Sequence, residues 1–588
     1  MRKRSFGWAS LATALIVVGS SLVGPGTSGG GWLAVNEAHA QPKPGEKGGK
    51  KEVIDLDEEE GDEKKGGEKA APGETPTPGT MTEEAAQAKR LFDKAQWEDA
   101  ALALKRVTSG ETGDDEGNKQ IAQYHLAIAL FNLKFYQASY AIFSDIAGNA
   151  SHNKFRETLL WLAKLATQLP EPADIVERVG KYDDAALEEF KNPNQKNLYW
   201  QLSYLLGRYR YRARSYDEAI NLFKNVDKAS PYYVQAQFFQ GITHVQKRES
   251  VPAVKAFQNI IDTLPDAEGV DDKARMQDLA HLSMARTYYS ASVRLDEAGI
   301  PKIDPKKLSA AVKYWNRVDV ASEYWLDALF EGSWAYFMAG DYPHALGNIH
   351  TLESPYFPNS FYPEAEILKA VIAFTICQYE DATTIVARMK ERYEPIRKEL
   401  DSILDKYKDD ESGQAFFTFL KEVREGKAKL STTVKPIVEN ALSDRQLLRN
   451  IEYVKLLDQE AALFKSKNAA FQSSDLGADI TDALDLAREL AVRNAGTLAR
   501  DRYTRYLDEL NEHLRNAQKI LIDIVNAERN KLDEKVAKGQ ISKEDTDVYG
   551  VVTPDEEHVL WPFDGEYWRD ELGFFRQVVV SKCGGPKK

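Results

Sequence analysis

Two cysteines in 588 residues are too few for a disulfide-stapled scaffold or a Cys-rich zinc fold. Cys377 and Cys583 stand so far apart in the chain that the sequence gives no reason for or against a bridge. Histidine is sparse too: the nine residues form no His-Glu-x-x-His motif, and His344 and His350 are six apart, off a common helical face. No Gly-x-Ser-x-Gly elbow occurs, and Ser151 to Lys154 is a chance Ser-x-x-Lys match. The Gly-Glu-Lys-Gly-Gly-Lys run at 45–50 lacks the spacing, the hydroxyl residue and the preceding strand of a phosphate loop. Positive charge is short as well: 77 Lys and Arg face 91 Asp and Glu, a net −14 that works against nonspecific grip on nucleic acid or anionic lipid. From these shortages follow the expectations of no catalytic residue, no metal, no cofactor, no nucleic acid and no small-molecule substrate.

What is present is ordinary globular material, 43% hydrophobic and 29% charged, which excludes wholesale disorder and polytopic membrane insertion. At roughly 150 residues per domain the chain holds about four domain equivalents. Arg2, Lys3 and Arg4, an apolar run over 11–23, and Ala38-His39-Ala40 before Gln41 form a secretory signal pattern over residues 1–40. Cleavage and a retained N-terminal anchor are the two alternatives. No cysteine precedes Cys377, which excludes a lipid-modified N-terminal cysteine. Residues 41–80 are rich in Lys, Glu, Gly and Pro and read as a disordered charged linker.

From 81 to 395 a phrase recurs in which an aromatic residue is followed by two polar residues and an alanine. It occurs at Trp97 to Ala100, Tyr216 to Ala219, Tyr342 to Ala345 and Tyr379 to Ala382. Looser copies centre on Ala138, Ala173, Ala253 and Ala311, and most steps between the alanines fall near 34 residues. In the best copy, Gly207 permits close helix approach, Tyr216 fills the corner, Ala219 gives a second close crossing, and Phe223 and Val226 bury the rear face before Pro231 stops the helix. The next copy keeps Gly241, Ala253, Phe257 and Pro265, with Ser250 at the corner. One long step is explained by helices over 273–293 and 307–320 separated by an inserted loop at 294–306. Pro170 and Pro172 break the region between Ala138 and Ala219, leaving a shortened helix over 171–179.

These features resemble the tetratricopeptide repeat family over a little more than half the chain, with Ser203 departing from the usual aromatic. The resemblance implies an all-α solenoid of helix-turn-helix repeats with a peptide-binding groove lined by the first helices. Carried over, the groove positions are Gln201, Tyr204, Arg208, Tyr211 and Arg212, then Gln235, Phe238 and Ile242, and later Phe330, Trp334 and Phe337. Aromatic and arginine side chains suit that task, and stacking between repeats is the alternative for each.

Residues 396–538 lose the phrase and read as long, coiled-coil-like helices, over 444–466 and 479–533. They form either an antiparallel hairpin against the last repeats or an intermolecular pair. Gly496 is a candidate bend. The tail, 539–588, gathers Trp561, Phe563, Tyr567, Trp568, Phe574 and Phe575, as a hook onto the chain's own helices or a docking segment for a partner. The expectation is a non-enzymatic scaffold in the periplasm or at the periplasmic face of the outer membrane. It binds envelope proteins and meets the membrane indirectly or through an uncleaved N-terminus. A client-binding chaperone and a cell-wall enzyme with a helical superstructure are the alternatives.

Overall fold

The computed structural model describes residues 75–583 apart from 296–300, 359, 443, 539–546 and 550–560. The signal and residues 41–74 of the linker lie outside the described residues. Two helix hairpins come first, α1 (Glu83–Asp93) with α2 (Trp97–Thr108) and α3 (Glu116–Asn132) with α4 (Tyr136–Gly148). Short helices α5 (Thr158–Leu165), α6 (Ile175–Val179) and α7 (Asp184–Glu188) follow, with a 3-10 turn at Glu171–Ala173 where the two prolines interrupt the pattern. Regular hairpins resume as α8 (Lys196–Arg212) with α9 (Tyr216–Lys224) and α10 (Tyr233–Gln246) with α11 (Ser250–Thr263). The last three are α12 (Lys273–Ser292) with α13 (Pro305–Trp315), α14 (Trp325–Met338) with α15 (Tyr342–Leu352), and α16 (Pro363–Thr375) with α17 (Tyr379–Lys406).

The corners share one backbone device. Two residues before the second helix the chain turns left-handed, at Ala95, Lys134, Arg214, Arg248, Gly340 and Cys377, with φ between 56° and 78°. The next amide then reaches back five residues, Ser215 N to Arg210 O at 2.9 Å and Glu249 N to His244 O at 2.9 Å, which closes a Schellman cap. Only Gly340 is glycine, so five corners hold a side chain in a region that costs about 1–2 kcal/mol. Past the corner, Ala100, Ala219, Ala253, Ala345 and Ala382 are fully buried. In the second hairpin Ser139, rather than the neighbouring Ala138, takes that position, and its hydroxyl donates to Ala127 O at 2.8 Å.

Two successive hairpins close in the same way. A Cβ on Gly207 would stand 2.7 Å from the Phe223 ring, and one on Gly241 would stand 2.5 Å from Phe257, so in both a glycine faces a phenylalanine. One feature differs from the sequence reading. The inserted loop carries a short antiparallel ribbon, β1 (Val293–Leu295) with β2 (Pro301–Ile303). Pro395 lies inside α17, a 28-residue helix anchored by buried Met389, Tyr393 and Ile396, which absorbs one lost hydrogen bond.

Beyond the repeats, α18 (Gln414–Arg424) and α19 (Lys435–Ala441) lead into α20 (Arg445–Lys465), α21 (Ala469–Gln472) and the 64-residue α22 (Asp475–Lys538). Asp444 caps α20 by accepting from Leu447 N. Helices α20 and α22 pair antiparallel, with Arg502 to Asp444 and Arg488 to Asp458 both at 2.7 Å. Gly496 is a close-approach site in a continuous helix, because a Cβ there would stand 2.6 Å from Gly413 O. The start of α22 ion-pairs with α2 through Asp479 and Lys105, and further along Tyr506 lies 5.0 Å from the ring of Phe361 just before α16. A second short ribbon joins β3 (Asp547–Tyr549) to β4 (Val579–Ser581).

Candidate partner-binding surfaces

The groove positions inferred from the sequence divide into two regions. Around α8, Tyr204 is buried and stacks on Tyr232 at 5.6 Å, and Phe238 is buried against Phe257 at 5.8 Å. Tyr204 is a wedge between repeats, whereas Phe238 fills the interior of its own hairpin. Arg208 lies over the rings of Tyr204 and Phe239, and Tyr211 meets Phe239 edge-on at 5.8 Å. Gln201 donates to Ala163 O at 2.8 Å, Gln235 to Gly269 O at 3.4 Å, and Ile242 is buried. Around α14, Trp334 is buried beside Phe337, and Phe330 lies 5.3 Å from Tyr362. These aromatic positions fill seams between hairpins, where large rings replace the water that small side chains would admit.

The polar positions meet the chain's own α20. Glu171, in the 3-10 turn, accepts from Arg208, from Arg212 at 2.6 Å, and from Arg449 of α20 at 2.7 Å, while Arg212 also reaches Glu177 at 3.2 Å. Burial works against the Glu171 carboxylate, yet the three guanidinium groups together hold its pKa below the ordinary value. A cavity of about 450 Å³ opens beside this cluster, between α8, the 3-10 turn, α20 and α22. Arg208, Tyr211 and Arg212 line it from the repeats, Arg449 and Asn450 from α20, and Thr497 and Leu498 from α22.

Other contacts seat the same hairpin. Helix α4 has no capping side chain of its own; Glu460 of α20 supplies one, accepting from Gln137 N at 3.0 Å and Ala138 N at 3.2 Å. Burial lifts the Glu460 carboxyl to about 7 against those backbone donors. Tyr453 donates to Gln137 at 2.6 Å, Lys467 pairs with Glu98 at 3.0 Å, and Arg445 pairs with Glu323 at 2.8 Å. Glu171, Arg449 and Glu460 were not among the residues singled out from sequence. Glu171 stands between two prolines, which marks a turn, but nothing local ties it to a residue 278 positions away.

The tail folds over α15. Tyr567 stacks on His350 at 4.9 Å, and Phe563 and Phe575 approach the same imidazole edge-on at 4.6 and 4.7 Å. Gly573 N donates to Thr351 at 3.0 Å, and Lys582 N to Ile376 O at 2.9 Å. Cys583 is joined to Cys377 by a disulfide with a Cα separation of 5.0 Å. The outer face of this hook stays bare: Trp561, Trp568 and Phe574 are 69%, 57% and 70% exposed, and Phe563 is 46% exposed. Among the described residues, no cluster of three or more His, Cys, Asp or Glu side chains could hold a metal, and no helix is long and apolar enough to cross a membrane.

No protein-family model and no curated protein matches the sequence. Among solved structures the chain is similar to a Rap protein complexed with competence and sporulation factor, at 12% identity and a TM-score of 0.23, covering 70% of this chain and 98% of that one. It is also similar to the APC/C hetero-tetramer Cut9-Hcn1, at 12% identity and a TM-score of 0.19, covering 72% and 96%. By its corner geometry and recurring hairpins, the chain is an all-α solenoid of helix-turn-helix repeats.

Proposed function

We propose that the chain is an exported, non-catalytic scaffold that binds proteins of the bacterial envelope, in the periplasm or at the periplasmic face of the outer membrane. The observation that carries this reading is the tail: a segment pinned at its inner face by His350 and the Cys377 to Cys583 bridge, with Trp561, Trp568 and Phe574 left on the outside. Exposed aromatic residues on a fixed backbone are the usual anchors of protein interfaces, since they bury large area at small entropic cost. Export is supported by the signal pattern over residues 1–40 and by the disulfide, a bond that persists in oxidising compartments. Membrane contact is then indirect or made by the N-terminal segment.

The test is crosslinking in intact cells from a photoreactive residue at the exposed position 570, with Trp568→Ala and Trp561→Ala each introduced into that same chain for comparison. One adduct in stoichiometric yield, lost in the alanine chains, supports the scaffold. Many weak adducts point instead to a client-binding chaperone, and the same adducts from the alanine chains refute the docking edge. Release of muropeptides from cell wall by the purified chain would replace the reading with an enzyme.

A further inference from the structure

The scaffold reading leaves unused a motif of the linker and a surface of the repeats. Residues 55–63 hold seven acids and no cation, and Val53, Ile54 and Leu56 add apolar side chains to the run. Between 301 and 318, in a chain of net charge −14, stand five cations and one acid. They make up β2, α13 and the turn after it. Arg294 of β1 lies directly opposite Lys302 of β2, a cross-strand pair of like charge that costs stability unless an anion covers it. Lys306 and Lys307 occupy the first turn of α13, where no acidic side chain stands and the helix dipole disfavours cations. Lys306 and Lys313, seven apart, share one exposed face of α13, and Arg317 just past its end is exposed too, as are Arg294 and Lys302. Among the described residues, Lys307 pairs with Asp304 at 3.8 Å, and the other five cations form no ion pair. The loop tip adds Asp296 and Glu297, outside the described residues; with these and Asp319 counted, residues 293–319 still hold six cations against four acids. Apolar surface adjoins the cations: Tyr288 stacks on Tyr314 at 5.6 Å beneath Arg317, and Val320 is 53% exposed.

We propose that this basic surface docks the acidic run 55–63 of a second copy, so that the chain associates with itself head to tail. Charge complementarity selects the run, and reach selects the second copy. Asn118 donates to Gly79 O at 3.2 Å and Asn153 to Pro76 O at 2.9 Å, which fixes the entry of the chain beside the start of α3. The ribbon lies at the opposite edge of the array, where α12 ends, and several hairpins further along. Crossing between the edges takes about 30 Å, the length of the 20-residue α12 at 1.5 Å per residue. Fully extended, residues 64–74 span about 40 Å, too little to pass the intervening hairpins as well. A second copy presents its run under no such limit. The contact joins two different surfaces, so it builds rings or open chains rather than a symmetric pair. It does not involve the aromatic tail.

Sedimentation velocity of the full chain over a wide range of concentration, at about 50 mM and about 500 mM salt, tests the contact. Association that grows with concentration is expected at the lower salt and its loss at the higher, since exposed ion pairs are screened. A linker variant, Asp57→Asn with Glu58→Gln, Glu59→Gln and Glu60→Gln, is expected to weaken association at least tenfold. A surface variant, Lys306→Glu with Lys313→Glu and Arg317→Glu, is expected to do the same. Adding Glu58→Lys, Glu59→Lys and Glu60→Lys to the surface variant should restore association, a recovery that a general change of net charge does not produce. If the surface variant does not fold, the linker variant decides alone, because its changes lie outside the repeats. A native chain that stays monomeric at low salt overturns the proposal, as does a linker variant that associates as tightly as the native chain. Binding of the native chain to phosphatidylglycerol vesicles without self-association assigns the surface to lipid and overturns it equally.

Discussion

The main-chain oxygen of Phe575 lies where Gly347 of α15 would carry its Cβ. A methyl group there has to push the tail outward, since the obstacle is backbone and cannot rotate aside. Gly347→Ala is expected to cost about 1–3 kcal/mol, in the range of other overpacked contacts. It should also speed limited proteolysis within residues 561–583 while helix content holds. Unchanged cleavage of the variant would contradict the seating of the tail.

The bridge between Cys377 and Cys583 closes a loop of 206 residues. Loops of that size confer most of their stabilisation by restricting the unfolded chain, and Cys583→Ser is expected to lose about 2–4 kcal/mol. Denaturant midpoints measured with and without reductant check this. The midpoint of the native chain should fall on reduction to that of the variant, and the variant should not respond.

Glu171 is the common partner of three arginines from two parts of the chain. Glu171→Gln leaves those cations facing one another in a partly buried site, and a stability loss of about 3 kcal/mol is expected. A second change, Arg449→Gln, should cost less in the Glu171→Gln background than in the native one, which a double-mutant cycle measures as coupling.

Glu364 at the start of α16 faces Trp334 from α14 and Glu509 and Glu512 from α22. Burial first, and the two acids second, push its carboxyl up to about 8 from 4.5. Burial likewise lifts Glu509 to about 7, against the pull of Arg502 and Arg505. Between the unfolded and folded values the native chain holds protons that the unfolded chain has released. Stability therefore falls as pH rises from 4.5 through about 8. Glu364→Gln is expected to flatten that slope and to add about 1–3 kcal/mol at the alkaline end. Unfolding midpoints across this interval read the effect directly.

Arg248 holds a left-handed corner with φ of 59°. Glycine adopts that conformation without the Cβ clash, so Arg248→Gly is expected to be neutral or stabilising by up to about 1 kcal/mol, where the same change mid-helix would destabilise. Thermal melting of Arg248→Gly beside an Ala256→Gly control in α11 separates the two outcomes.

The hairpins were legible from sequence because their signals are local: an aromatic corner at Tyr216, a small residue at Ala219, and Gly207 sixteen positions before Phe223. The left-handed corners were not, since Arg214 and Arg248 carry none of the glycine signal that usually marks them. Arg208, Tyr211 and Arg212 do share one surface, but their partners Glu171 and Arg449 come from a proline-flanked turn and a helix far along the chain, and no short-range periodicity links such residues. The tail's aromatic content was plain in the sequence. Which rings turn inward, as Tyr567 does, and which outward, as Trp568 does, depends on the placement of His350.

Repeat arrays ordinarily grow and shrink by whole units, because each unit touches only its neighbours. Helix α22 removes that freedom. Its Asp479 meets Lys105 near the first hairpin and its Tyr506 meets Phe361 near the last, and the stretch between them spans roughly 40 Å at 1.5 Å per residue. A continuous helix of set length acts as a ruler, and duplicating or deleting one hairpin would shift one of its two marks. The copy number of the array is thereby locked to the length of a single rod, so any relative of different repeat count must carry a rod altered in step.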